Sequence, residues 1–250
     1  MRTFLALLLC ASATWSASGM NSTSIVLDTA DAAHAFDGIG GLSAGASSRL
    51  LWDYDEPQRS EVLDYLFKPN FGAALHICKV EIGGSGQSTD GDEVSFENER
   101  GKIDCSRGYE NWLMLEAKKR NPEMITYGLS WATPAWVGDN STGYFSDDGI
   151  KYHIDWLLCV RETVGIDVDY MGVWNERVPQ PLDWIVQLRR AMDQAGFSAT
   201  RIVAPDNKYV PKEMIAGIVN NATVRDALYA TGTHYPCNEP YPEITEAGLA

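Results

Sequence analysis

The chain has 250 residues, 45% hydrophobic and 22% charged, which fits one large domain or two small ones with a real core. Twenty basic residues against 34 acidic ones leave a net charge of −14, which excludes the basic stripe that a nucleic-acid partner requires. Eleven Tyr, eight Trp and seven Phe suit either an aromatic core or a groove that stacks on flat ligand faces.

At the N-terminus Arg2 precedes the apolar run "FLALLLCASATW" and then the small residues "SASG". This is the layout of a secretory signal peptide, expected to cover residues 1–19 and to leave residues 20–250 as the mature part. The run is too short for a permanent membrane-spanning helix, and no later stretch reaches spanning length. Asn-x-Ser/Thr sequons at Asn21, Asn140 and Asn221 mark expected glycosylation sites of a secreted chain. With Cys10 removed, Cys78, Cys105, Cys159 and Cys237 permit up to two disulfides and three connectivities. None of them forms a Cys-x-x-Cys pair, so no zinc site or other metal is expected.

Strand-like and helix-like stretches then alternate. "AFDGIGGLS" reads as a strand entering a turn, and "EPQRSEVLDYLF" as a helix with Pro57 near its start. "AALHICKVEIGG" is a buried strand and "GYENWLMLEAKKR" an amphipathic helix whose basic end suits the helix dipole. "MITYGLSW" follows as a strand, and "DDGIKYHIDWLLCVRETVG" as a helix with an acidic start and a glycine stop. "DYMGVWNE", "RIVAPDN" and "ALYATGTHYP" complete the strands, separated by the helices "PLDWIVQLRRAMDQAG" and "PKEMIAGIVNN".

Six βα-like units with nearly continuous apolar strands imply a parallel sheet covered by helices. A doubly wound sheet and a (β/α)8 barrel of the TIM type both fit. The barrel is favoured because nearly every strand exit carries polar or aromatic groups: Lys79 and Glu81, Trp131, Asn175 and Glu176, Asp206 and Asn207, His234 and Tyr235. In a barrel these exits share one face, where active sites form. Eight units are needed and six are present, so the barrel is expected to be incomplete.

Glu176 is the sharpest candidate. A carboxylate at a strand end beside an amide can serve as general acid/base, with Trp174 and the following prolines expected to shield it and raise its pKa. The competing reading is a surface ion pair with Arg177. "VEIGGSGQSTDG" opens a glycine-rich loop carrying Ser88, Thr89 and Asp90, but no Lys-Ser/Thr follows, so it is not a P-loop. "GIGGLS" likewise misses the dinucleotide fingerprint, and no cofactor is expected. Trp131 and Trp136 flank a proline turn and could be core or a sugar-stacking platform. His234 and Tyr235 offer hydrogen bonds to a carboxylate. The combination points to glycoside hydrolysis, which needs two carboxylates. Glu239, Glu243 and Glu246 are the nearest later ones, in a loop-like stretch with no strand behind it.

The blocks "FDGIGGLSAGASSRLL", "EPQRSEVLDYLFKPNFGAALHICKVEIGGSGQSTDG", "RGYENWLMLEAKKRNP", "GLSWATPAWVG", "DYMGVWNER" and "THYP" resemble the galactocerebrosidase family, glycoside hydrolase family 59, from Phe36 to Pro236. The resemblance implies a (β/α)8 barrel and retaining hydrolysis of the β-galactosyl bond of galactosylceramide, without a catalytic metal, in the lysosome of the secretory pathway. Glu176 matches the family's general acid/base, Asn175 the 2-hydroxyl binder, and Thr89 and Trp131 galactose contacts. A galactolipid is the implied substrate, and a saposin-like lipid-presenting activator a further expected partner. The family's nucleophile sits in a "WSSED"-like motif that no stretch here matches, so an N-terminal fragment is expected. A non-catalytic glycolipid-binding barrel and a related glycosidase acting on glucosylceramide are the alternatives.

Overall fold

The computed structural model describes residues 36–88, 91–138, 143–177, 180–235 and 241–249. Six strands, β1 (Gly40–Ser43), β2 (Ile77–Ile82), β3 (Ile125–Ser130), β4 (Tyr170–Trp174), β5 (Arg201–Asn207) and β6 (Ala230–Thr233), form one sheet in chain order. Every neighbouring pair is parallel, as strands separated by helices must be.

Alternation along each strand decides what faces what. On β2, Cys78, Val80 and Ile82 point out and join the buried layer between sheet and helices, together with Met171 and Val173 of β4 and Ile202 and Ala204 of β5. Lys79 and Glu81 point to the other, concave side. That side is curled: the Lys79 ammonium of β2 reaches Asp206 of β5 at 2.5 Å. Strands three places apart in a flat sheet are about 14 Å apart, so this contact requires barrel-like curvature.

Helices α2 (Gln58–Phe67), α3 (Glu110–Arg120), α4 (Asp147–Thr163), α5 (Leu182–Gln194) and α6 (Lys212–Asn220) cover the convex face at the expected places. α4 is the best specified. Ser146 caps it by accepting from the Gly149 N–H at 3.3 Å, Asp147 and Asp148 sit in its first turn, and Gly165 follows its end at φ +77°. A disulfide joins Cys105, ahead of α3, to Cys159 of α4, while Cys78 is free and buried; Cys237 lies outside the described residues.

Three short helices were not anticipated: α1 (Ser48–Asp53), α7 (Ala222–Ala227) and α8 (Pro242–Glu246). The last corrects the loop expected there and places Glu243 and Glu246 on a helix. The final strand is shorter than "ALYATGTHYP" suggests. Two register shifts matter for function. β4 advances from Met171 to Trp174 while β3 advances from Gly128 to Ser130, and β5 advances from Val203 to Asp206 while β6 advances from Ala230 to Gly232. Each inserts one extra residue just before a polar exit, which re-aims the side chains that follow.

Candidate active site

The extra residue in β4 lets the chain continue past Trp174 with its backbone still tied down. The Asn175 N–H donates to the Ser130 carbonyl at 2.8 Å, and the Glu176 N–H to the Asp206 carbonyl at 2.8 Å. Between these anchors Glu176 takes φ +50°, a left-handed conformation that costs a non-glycine residue roughly 1 kcal/mol or more and tends to mark functional sites. The turn throws its carboxylate across the sheet, where Oε1 lies 3.1 Å from His234 Nδ1. His234 is itself placed by its N–H donating to the Asn207 carbonyl at 2.7 Å.

The other ring nitrogen of His234, Nε2, contacts Asp206 Oδ1, and Asp206 Oδ2 accepts from the Lys79 ammonium. That ammonium stands 4.7 Å from the centre of the Tyr127 ring and 5.9 Å from that of Trp131, close enough for cation–π attraction. Lys79 in the middle of β2 and the exits of β3, β4, β5 and β6 therefore meet in one cleft through Lys79, Trp131, Glu176, Asp206 and His234. Asp206 is buried, and both its oxygens are engaged by cationic or N–H partners.

Of the residues singled out from sequence, Glu176, Trp131 and His234 come together here. Asn175 lies beside Glu176, half-buried, and its amide oxygen has no hydrogen-bond partner among the described residues. Tyr235 is 73% exposed and meets the His234 ring edge-on at 5.8 Å; among the described residues it makes no hydrogen bond to Glu176. Thr89, Asn21 and Asn140 lie outside the described residues, as does the leader. Asn221 is exposed, and its side-chain oxygen caps α7 by accepting from the Thr223 N–H at 3.0 Å.

One expectation needs correction. Trp174 does not cover Glu176: its ring packs 3.6 Å from the Tyr144 ring centre, and the Glu176 side chain keeps 44% of its exposure. Among the described residues the carboxylate pairs with His234, and no ion pair with Arg177 is seen. The two tryptophans also part company. Trp136 donates from Nε1 to the Glu97 carbonyl at 2.8 Å and lies under Arg100 and Lys151, away from the cleft. Sequence reasoning noted Lys79 and Asp206 only as polar strand exits and missed their contact. The available signal was charge in otherwise apolar strands, "CKVEI" and "IVAPDN".

Beside the cleft the glycine-rich loop is pinned from below. Glu81 accepts from the Gly45 N–H at 2.6 Å and from the Ser88 hydroxyl at 2.9 Å. Glu93 accepts from the Tyr109 N–H at 2.8 Å, and Glu110 from the Ser43 and Ser48 hydroxyls at 2.9 and 3.2 Å. All three are buried. Burial raises each pKa, that of Glu93 to about 7 and that of Glu110 to about 8; repulsion from Glu81 adds to the rise of both, and repulsion from Asp92 to that of Glu81. Among the described residues no group of His, Cys, Asp or Glu is arranged to hold a metal ion, and no helix is long and apolar enough to cross a membrane.

Residues 36–248 match the family model "Glycosyl hydrolase family 59". The chain belongs to glycosyl hydrolase family 59. Its curated family-59 relatives include galactocerebrosidases of Danio rerio, 46% identical over 219 residues, and of Homo sapiens, 43% identical over 215 residues. These alignments cover 86% and 84% of this chain but 33% and 31% of the relatives, so the chain spans about a third of their length. Among solved structures, an endo-beta1,6-glucanase superposes with TM-score 0.68 at 19% identity, covering 85% of this chain and 55% of that one. The catalytic domain of GH30 xylanase C from Talaromyces cellulolyticus gives 0.62 at 18%, covering 81% and 54%. At such identities the likeness concerns the fold, and it agrees with an incomplete (β/α)8 barrel.

Proposed function

We propose that this family-59 chain carries the acid/base half of a retaining β-galactosidase site that cleaves galactosylceramide to galactose and ceramide. The observation that carries the reading is Glu176 at the end of β4, hydrogen-bonded to His234 in the cleft where the exits of β3, β4, β5 and β6 meet. The naming of the relatives as galactocerebrosidases supports the substrate.

In this reading Glu176 gives its proton to the glycosidic oxygen as the ceramide alkoxide departs, then takes a proton from the water that releases the sugar. Its partial exposure suits the second step, in which water must reach it. Asn175 binds the sugar 2-hydroxyl through its amide, Trp131 stacks on the ring, and Thr89 contacts galactose. His234 and Tyr235 complete the rim. Asp206 is unsuited to be the nucleophile, because it is buried and both its oxygens are occupied; that role is assigned to a further strand of the family's longer barrel. The same reading takes residues 1–19 as a secretory leader, Asn21, Asn140 and Asn221 as glycosylated, the lysosome as destination and a saposin-like protein as lipid presenter.

The test is Glu176→Gln in a chain extended to the length of its relatives. The amide is isosteric, so folding and sugar binding should persist, while hydrolysis of galactosylceramide falls by ~10²–10⁴. An activated aryl galactoside, whose leaving group needs no proton, should lose far less in its first step. Wild-type turnover of the lipid by the variant would overturn the proposal.

A further inference from the structure

Asp206 is a carboxylate buried on the concave side of the sheet, and no step of the proposed chemistry uses it. Its surroundings are specific. Oδ2 accepts from the Lys79 ammonium, Oδ1 faces His234 Nε2, and the opposite ring nitrogen of His234 lies 3.1 Å from Glu176 Oε1. Among the described residues, the charged and titratable groups around the imidazole are Asp206 of β5, Lys79 of β2 behind it, Glu176 after β4 and the edge-on Tyr235 ring.

We propose that Asp206 and Lys79 are positioning residues that hold His234 in the Nε2–H tautomer, so that its Nδ1 accepts a hydrogen bond from the acid form of Glu176 and fixes that carboxyl in the cleft. The assignment rests on the reading of Glu176 as acid/base, but its physical basis is independent. An ionised carboxylate only accepts hydrogen bonds, so the nitrogen facing Asp206 must carry the hydrogen. In a neutral imidazole the nitrogen facing Glu176 is then an acceptor, matched to the protonated acid that the first step needs. When Glu176 has given its proton to the departing oxygen, the carboxylate takes its next proton from the incoming water, which restores the acid form and its contact with Nδ1. The neutral imidazole thus faces the acid form with a lone pair and neither supplies nor removes a proton in either step.

Lys79 holds Asp206 by its other oxygen, Oδ2, so that Oδ1 is the oxygen left to face the ring. Asp206 thus orients the ring, and Lys79 orients Asp206. The tie is also geometric, since the Asp206 carbonyl accepts from the Glu176 N–H at 2.8 Å, so one residue fixes both ends of the contact.

Asp206→Asn tests this with little change in shape. The new amide turns its oxygen to Lys79 and its NH2 to His234, which forces Nε2 to accept and moves the ring hydrogen to Nδ1. Long-range ¹⁵N–¹H spectra of the histidine-labelled 250-residue chain, which has four His, report the tautomer without any need for activity. Wild-type protein should show His234 as Nε2–H and Asp206→Asn as Nδ1–H. Lys79→Met, whose position is less buried, frees Oδ2 and should leave His234 as a mixture of the two tautomers, and it stands in if Asp206→Asn does not fold. A wild-type Nδ1–H signal, or spectra unchanged in both variants, would overturn the proposal. In the extended chain, Asp206→Asn should lower kcat on galactosylceramide by ~10²-fold with KM nearly constant; unchanged kcat would also overturn it. Full activity of Glu176→Gln would remove the acid/base reading while leaving the tautomer result standing.

Discussion

Gly84 and Glu176 show how single residues hold the cleft open. A Cβ built on Gly84 would fall 2.1 Å from the carbonyl carbon and oxygen of Ala132 and 2.5 Å from the Thr133 nitrogen. The glycine-rich loop can therefore lie against the β3 exit only without a side chain there. Gly84→Ala should displace the loop, the Trp131 turn or both, and cost roughly 1–3 kcal/mol, as overpacking does; denaturant midpoints read the loss, and an unchanged midpoint would contradict the contact. Glu176 was legible in the sequence because an apolar strand that ends on Asn175 and Glu176 has no cheap structural explanation. Its exposure was not legible, since the direction of Trp174 is decided by Tyr144, thirty residues upstream on another segment. The Lys79–Asp206 contact was equally hidden: the partners lie 127 residues apart and meet only if the sheet curls.

At the scale of elements, the alternation of strand and helix was readable because each of the long helices keeps one apolar face through several turns. α1 and α7 have six residues each, too few for a 3.6-residue period to declare itself. α8, with five, begins at Pro242, which fixes the backbone for a first turn but is as common in loops. The disulfide pairing could not be read at all, because four cysteines leave three connectivities open and only the fold brings Cys105 beside Cys159. That bridge spans 54 residues and clamps the segment ahead of α3 to the middle of α4. Cys105→Ser should cost about 2–4 kcal/mol through the greater freedom of the unfolded chain. Cys159→Ser should cost a similar amount and the double variant little more, since both remove one constraint. Equilibrium unfolding of the three variants checks this, and additive losses would contradict a shared bridge.

For the whole molecule, the sheet leaves β1 and β6 with one neighbour each among the described residues, and its concave side gathers Lys79, Glu81 and Asp206, with further buried carboxyls beside it. Most important for stability are Glu93 and Glu110, whose pKa values burial raises from 4.5 to about 7 and about 8. The folded chain then binds protons that the unfolded chain has released. The stability from these groups is complete below pH about 4.5 and is lost as pH rises through 7 and 8. Asp64 and Asp148 act oppositely: hydrogen bonds from Arg120 and Arg100 hold them below their ordinary value of 3.8, so their contribution is lost in stronger acid. The melting temperature should therefore peak in mild acid and fall steadily between pH 5 and 8, and Glu110→Gln should flatten that fall; a maximum at pH 8 would contradict the buried cluster. The central claim concerns Glu176, and the most direct measurement is the product that Glu176→Gln forms from an aryl β-galactoside in the presence of azide, followed by ¹H NMR in the extended chain. Azide attacks the glycosyl-enzyme without needing a base, so the account predicts restored turnover and β-galactosyl azide as product, whereas α-galactosyl azide, or no rescue at all, would contradict an acid/base role for Glu176.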